Sequence, residues 1–236
     1  MIRWSYGVTT VPDRVDSGLT KQTLDSLWRA GFKDPHVFVD GRTSSYEVPM
    51  TTRCPPTRIA PHWILSLAEL YLRYTGADRF AVFQDDLAAC SNLRLYLEGV
   101  AYPEKGYLNL FTFLGNEDVV RGKPDGWYKS HLLDGSDHLQ SGRGALGLVF
   151  DREAVLTLLG SRWLWEEFQD VQFGWRKIDG KVANAMNRAG FFEYVHNPSL
   201  LLHTGEISTK GASDPPALTF RGEAWNALES LPCSAT

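Results

Sequence analysis

Two adjacent carboxylates, Asp85 and Asp86, follow the apolar run Phe80-Ala81-Val82-Phe83 and the amide of Gln84. Neighbouring acids at the end of a buried strand repel each other and lose hydration, a cost that a divalent cation commonly offsets. A hard cation such as Mn²⁺ or Mg²⁺ takes one or two carboxylates and leaves positions for phosphate oxygens. In the alternative reading Asp85 caps the next element and Asp86 faces solvent. Two more polar clusters fall where strands should end, Thr9-Thr10-Val11-Pro12-Asp13-Arg14 and Asp40-Gly41-Arg42. Farther along, Asp170 stands near Glu166 and Glu167 and could be one charge on a solvated face. His203 follows three leucines, Leu200 to Leu202, at a strand end and reads either as a metal ligand or as a structural histidine. Lys210, Arg42 and Arg58 are candidates for phosphate contacts. Trp127 and Tyr128, in a long polar stretch, could stack on a ring of a bound ligand. Trp163, Trp165 and Trp175 flank Asp170 and could shape a pocket or simply pack.

These residues need elements to position them. Trp4 to Val11 reads as a buried strand, and Asp16 or Ser17 can cap a helix carrying Leu24, Leu27 and Trp28 on one face, closed by Gly31. His36 to Val39 is a second strand, so the first 41 residues form a strand–helix–strand unit and predict a parallel sheet. Gly41 to Pro61 is polar and broken by prolines, and reads as a loop. A helix with Ile64, Leu67, Ala68, Tyr71 and Leu72 follows, and Arg79 to Phe83 is the strand that delivers Gln84-Asp85-Asp86. Further strands are expected at Tyr107 to Thr112, Ala145 to Phe150 and Phe191 to His196, with a helix from Arg152 to Leu159. Residues 115–143 read as a loop over the site. In such sheets ligands bind at the carboxyl ends of the strands, where the three polar clusters converge.

The bulk numbers narrow the function classes. A chain of 236 residues, 43% hydrophobic and 22% charged, suits one globular domain. A formal net charge of -4 provides no global field to draw in nucleic acid or anionic lipid, although Arg121, Lys123, Lys129 and Arg143 could form a local patch. Cys54, Cys90 and Cys233 are odd in number and lack metal-ligand spacing, which suggests reduced thiols in the cytoplasm. The opening Met1-Ile2-Arg3-Trp4 is not of signal-peptide type, and no apolar run reaches the ~18 residues of a membrane span. A cytoplasmic protein with no membrane partner is therefore expected.

The motifs together resemble one family. Val8 to Arg14 is similar to the first-strand signature of GT-A-fold glycosyltransferases, where this turn holds the nucleoside. Val37-Phe38-Val39-Asp40-Gly41 is similar to their second strand, whose acid meets the base or ribose. Phe83-Gln84-Asp85-Asp86-Leu87 resembles the Asp-x-Asp element, with Gln84 where the first acid usually stands. Gly142 to Phe150 resembles the acceptor-side strand, Phe168 to Gly174 the segment of the catalytic base, and Leu202-His203-Thr204-Gly205 the late histidine of the metal or pyrophosphate site. The resemblance covers residues 4–205. It implies an α/β fold, a single GT-A-like domain over 1–211 with a nucleotide-binding half (1–95) and an acceptor half (96–211). A mainly parallel sheet with helices on both faces is expected, and residues 212–236 form a tail packed on it. It implies transfer of a sugar from a nucleotide sugar, first a uridine diphosphate sugar, to a hydroxyl acceptor. Asp170 would be the base of an inverting reaction, Asp86 and His203 would hold Mn²⁺ or Mg²⁺, and Thr9, Thr10, Pro12, Arg14, Asp40, Gln84, Asp85 and Lys210 would bind the donor. Trp127, Arg143, Gly144 and Trp175 would face the acceptor. Hydroxymethylated bases of DNA are an alternative acceptor. A nucleotidyltransferase that makes nucleotide sugars and a non-catalytic binding module are the competing classes, the former disfavoured because Thr9-Thr10-Val11-Pro12 is not a glycine-rich loop.

Overall fold

The computed structural model describes residues 1–43, 48–113, 116–130, 144–166, 178–205 and 217–231. Along the chain run β1 (Trp4–Thr10), α1 (Pro12–Asp16), α2 (Leu19–Arg29), β2 (His36–Val39), β3 (Met50–Thr52), α3 (Ile59–Arg73), β4 (Arg79–Gln84) and β5 (Leu87–Ala89). There follow α4 (Leu93–Gly99), β6 (Gly106–Asn109), β7 (Gly126–Lys129), β8 (Gly147–Asp151), α5 (Arg152–Gly160), α6 (Arg162–Glu166), α7 (Ile178–Arg188), β9 (Phe192–Asn197) and β10 (Leu201–His203). The main sheet has the order β3-β2-β1-β4-β8-β6-β9-β7, and β10 pairs with β5 in a second, small sheet.

The half from β3 to β4 is parallel throughout, β8 is antiparallel to both neighbours, β6 and β9 are parallel, and β7 closes the far edge antiparallel. Strand periodicity of two explains how the sheet is covered on both faces. In β4, Phe80 and Val82 belong to a core with Trp63, Ile64 and Leu67 of α3, Leu158 of α5 and Val182 of α7. Their neighbours Ala81 and Phe83 point the other way, into a core with Leu27 of α2, Leu93, Tyr96 and Leu97 of α4, and Leu201 of β10. An α/β domain with a mainly parallel sheet and helices on both faces is thus what the sequence dictates. Residues of the C-terminal stretch join the second core through Ala217 and Ala227, and Ser91 hydrogen-bonds to the backbone of Trp225 and Ala227.

From β1 the chain moves outward to β2 and β3, and α3 then carries it back to β4 on the other side of β1. The direction reverses between β1 and β4, which is the switch point where open α/β sheets bind ligands. Thr9 of β1 is in register with Gln84 of β4, so both strands open onto the same level.

Several elements depart from the sequence expectation. The segment expected as a loop from Gly41 to Pro61 contains β3 and the first turn of α3; Pro61 is tolerated there because amide hydrogens of a first turn need no helical partner. Pro12 starts α1, and α2 is preceded by Gly18 at φ 81°, with neither Asp16 nor Ser17 as its cap. Within the expected loop 115–143, Gly126–Lys129 is β7, hydrogen-bonded to β9. Cys54 and Cys90 are free thiols, one exposed and one buried. Among the described residues, no helix is long and apolar enough to cross a membrane.

Candidate functional site

At the end of β4 the backbone N–H of Gln84 donates to Leu146 O (2.9 Å), and its side-chain amide donates to Ala145 O (3.0 Å). These bonds pin the carboxyl end of β4 to the residues leading into β8. Asp85 and Asp86 come next, and both are buried. The Thr10 hydroxyl donates to Asp85 Oδ2 and is also 2.8 Å from the Thr20 hydroxyl. The guanidinium of Arg14, carried by α1, bonds to Asp85 Oδ1 and lies 2.7 Å from Asp86 Oδ2.

Asp86 and His203 are brought together by the small sheet. β5 pairs antiparallel with β10 so that Leu87 is opposite His203, and the Thr204 N–H donates to Asp86 O (2.8 Å). His203 Nε2 then lies 3.1 Å from Asp86 Oδ2. Gly205 permits this closeness, since a Cβ there would stand 3.0 Å from His203 Cε1 and 3.2 Å from Asp86 Oδ2.

The two acids differ electrostatically. Burial raises the Asp85 carboxyl above its ordinary range; Arg14 opposes the shift and the charge of Asp86 adds to it. Burial acts on Asp86 in the same direction, but the His203 hydrogen bond and the charges of Arg14 and His203 outweigh it and hold Asp86 below that range. Asp86 Oδ1 is buried and has no hydrogen-bond partner among the described residues.

These residues line a cavity of about 520 Å³ whose wall also includes Thr9, Asp40, Arg58, His62, Gly144 and Asp179. Asp40 at the end of β2 accepts hydrogen bonds from Thr57 N (2.6 Å), Thr57 Oγ1 (3.0 Å) and Arg58 N (2.6 Å). Its carboxylate thereby holds the turn into α3, a positioning role beyond the nucleoside contact expected from sequence. His62, in the first turn of α3, lies with Nδ1 3.7 Å from Asp40 Oδ1 while Nε2 meets Phe38 O at 3.0 Å. Burial depresses its imidazole and favours the neutral form, against the pull of Asp40 toward the charged one. Across the cavity, Gly144 adopts φ 76° and its N–H donates to Asp179 Oδ2 (3.0 Å). Phe111 and Phe113, stacked with ring centroids 5.0 Å apart, complete an apolar wall against Gly144.

Of the residues expected from sequence, the cavity gathers Thr9, Thr10, Arg14, Asp40, Gln84, Asp85, Asp86, His203 and Gly144. Pro12 sits beside it, its ring within 2.7 Å of where a Cβ on Gly41 would be. Trp127 lies on β7, edge-on to buried His196 at 4.9 Å, and packs against the second core, outside the cavity lining. The suggested basic patch is likewise engaged, with Arg121 paired to Asp118, Lys123 over Tyr128 and Lys129 over Phe192. Asp170, Arg143, Trp175 and Lys210 lie outside the described residues. Asp179, His62, Phe111 and Phe113 were not anticipated as site residues. The apolar stripe Ile178, Val182, Ala185 and Met186 would have revealed Asp179 as an acid in a helical first turn, a favoured position for one.

A divalent cation fits this donor set. Among the described residues no group of three His, Cys, Asp or Glu side chains is placed to hold an ion. Mg²⁺ and its analogues, however, need only one or two protein donors when phosphates and water supply the rest. Asp86 offers an unpartnered buried oxygen, and His203 offers an imidazole nitrogen beside it.

No family model matches the chain, and no curated protein is detectably similar to it. Among solved structures it is similar to a Bacillus anthracis protein described as a glucose-1-phosphate thymidylyltransferase, in complex with a sucrose. The two share 10% identity and a TM-score of 0.42 over 84% of this chain and 89% of that one. A likeness at that level carries no weight for function, and the fold class follows from the strand order itself.

Proposed function

We propose that the protein is a glycosyltransferase that binds a nucleotide sugar, with a divalent cation on Asp86 and His203, and passes the sugar to a hydroxyl acceptor. The observation that carries this reading is the convergence of Asp86, with its unpartnered oxygen, His203 and Arg14 on a cavity at the switch point of the sheet. A bound cation neutralises the diphosphate leaving group as a Lewis acid. Thr10 and Arg14 hold Asp85, and Asp85 in turn fixes the guanidinium at the cavity wall. A uridine diphosphate sugar is the first donor to test.

In the transfer step the acceptor oxygen forms a bond to the anomeric carbon as the bond to the diphosphate breaks, and the leaving group takes that electron pair. The hydroxyl proton passes to a carboxylate. Asp170 is the base implied by the family resemblance. Asp179 also lines the cavity, its Oδ2 accepting from the Gly144 N–H, and Asp179→Asn separates the two assignments. One in-line displacement inverts the anomeric centre.

The direct test is release of sugar from a panel of uridine diphosphate sugars with Mn²⁺ and no added acceptor. Slow hydrolysis that disappears with chelator and in Asp86→Asn is the expected result. Turnover indifferent to both contradicts the reading.

A further inference from the structure

Arg14 stands in the way of the cation that the site is built to take. Its guanidinium bonds Asp85 Oδ1 and lies 2.7 Å from Asp86 Oδ2, the same oxygen that His203 Nε2 approaches to 3.1 Å. One guanidinium against two carboxylates leaves the pair one formal negative charge, so a cation is still attracted. It cannot settle on Asp86 beside the guanidinium without strong repulsion in a site this buried. The side chain of Arg14 is 17% exposed against 4% and 3% for the two acids, and it lines the cavity itself. It therefore has somewhere to go. The five-residue helix that carries it ends at Asp16, two residues before Gly18 at φ 81°.

We propose that Arg14 is the resident counter-ion of the carboxylate pair, displaced by the divalent cation and turned toward the cavity, where it pairs with the phosphates of the nucleotide. The first half concerns only cation and protein; the second half rests on the nucleotide-sugar reading above. A guanidinium suits both positions, because it is permanently charged and its donor fork matches carboxylate and phosphate alike. The exchange makes cation and nucleotide mutually assisting: phosphates that hold Arg14 off the acids strengthen cation binding, and by linkage the cation strengthens nucleotide binding equally.

The experiment is titration of Mn²⁺ into wild type and Arg14→Gln, followed by the electron paramagnetic resonance signal of free Mn²⁺, with and without uridine diphosphate. In Arg14→Gln, Mn²⁺ alone should bind about tenfold tighter than in wild type, and most of the gain that uridine diphosphate gives wild type should be lost. Melting temperature gives a second readout: Arg14→Gln should melt lower than wild type without metal and gain more from Mn²⁺. If Arg14→Gln does not fold, Arg14→Met, which also removes the charge while keeping much of the apolar stem, is read the same way. Binding of Mn²⁺ alone that is unchanged or weaker in the variant overturns the counter-ion role, while wild type that binds Mn²⁺ with uridine diphosphate leaves the functional reading standing. Wild type that binds no Mn²⁺ in either condition sinks both.

Discussion

Asp85 and Asp86 are adjacent and both buried, yet their surroundings shift the two carboxyls in opposite directions. Asp86 is held low, so its ionised form stabilises the fold at neutral pH, and that contribution is lost only as the pH falls below the ordinary carboxylate range. Asp85 is held high by burial, so its contribution is present in acid and lost as the pH rises through its raised value. Removing the Asp86 carboxylate should lower metal-dependent turnover by on the order of 100-fold or more. Thr10→Val leaves Asp85 Oδ2 without its hydroxyl donor, and chemical denaturation should show a loss of about 1–3 kcal/mol. A third titration lies far from the cavity. His196 is fully buried, with Nε2 2.6 Å from the Tyr96 hydroxyl and Nδ1 2.7 Å from Pro198 O, and burial pushes its imidazole from 6.5 down to about 4. The unfolded chain binds that proton first, so stability present above pH 6.5 is lost as the pH falls toward 4, by roughly 3 kcal/mol. Denaturation curves across this window should slope less steeply in His196→Gln; an equal slope would remove His196 as the cause.

At the scale of elements, the site depends on close backbone approaches. Gly7 of β1 faces His36 O and the Phe38 ring, each 2.6 Å from the place of a Cβ. Gly7→Ala must therefore move β1 against β2, at a cost of about 1–3 kcal/mol that thermal or chemical denaturation would register. Gly205→Ala crowds Asp86 and His203 directly, and it should weaken Mn²⁺ binding more than it lowers stability. The strands were legible where two-residue alternation or a solid apolar run was unbroken, as in β1, β2, β4, β8 and β9. Strands without such a run were not: β3, β5 and β7 have three or four residues each, and their pairing comes from neighbours distant in sequence. The register of β5 against β10 is what unites Asp86 with His203, and no local pattern encodes it. The place of Trp127 was hidden for the same reason, because only the pairing of β7 with β9 sets it on His196.

For the whole molecule, two apolar cores clamp the sheet from opposite faces, and the reversal of chain direction between β1 and β4 leaves a cavity at its carboxyl edge. Three polar clusters at strand ends were enough to locate that cavity from sequence, since strand direction alone sets which edge they share. Its far wall was not readable: Gly144, Asp179 and the Phe111–Phe113 stack meet through long-range contacts. A site assembled in this way should respond as a unit to its ligands, because a ligand bound only by the folded chain raises its melting temperature by mass action. The most direct measurement is thermal denaturation with a panel of nucleoside diphosphates, each with and without Mn²⁺. At a concentration well above the dissociation constant, at least one diphosphate should raise the melting temperature by about 5 °C with Mn²⁺ and by much less without it. No metal-dependent rise with any diphosphate would contradict nucleotide-sugar binding at Asp86 and His203.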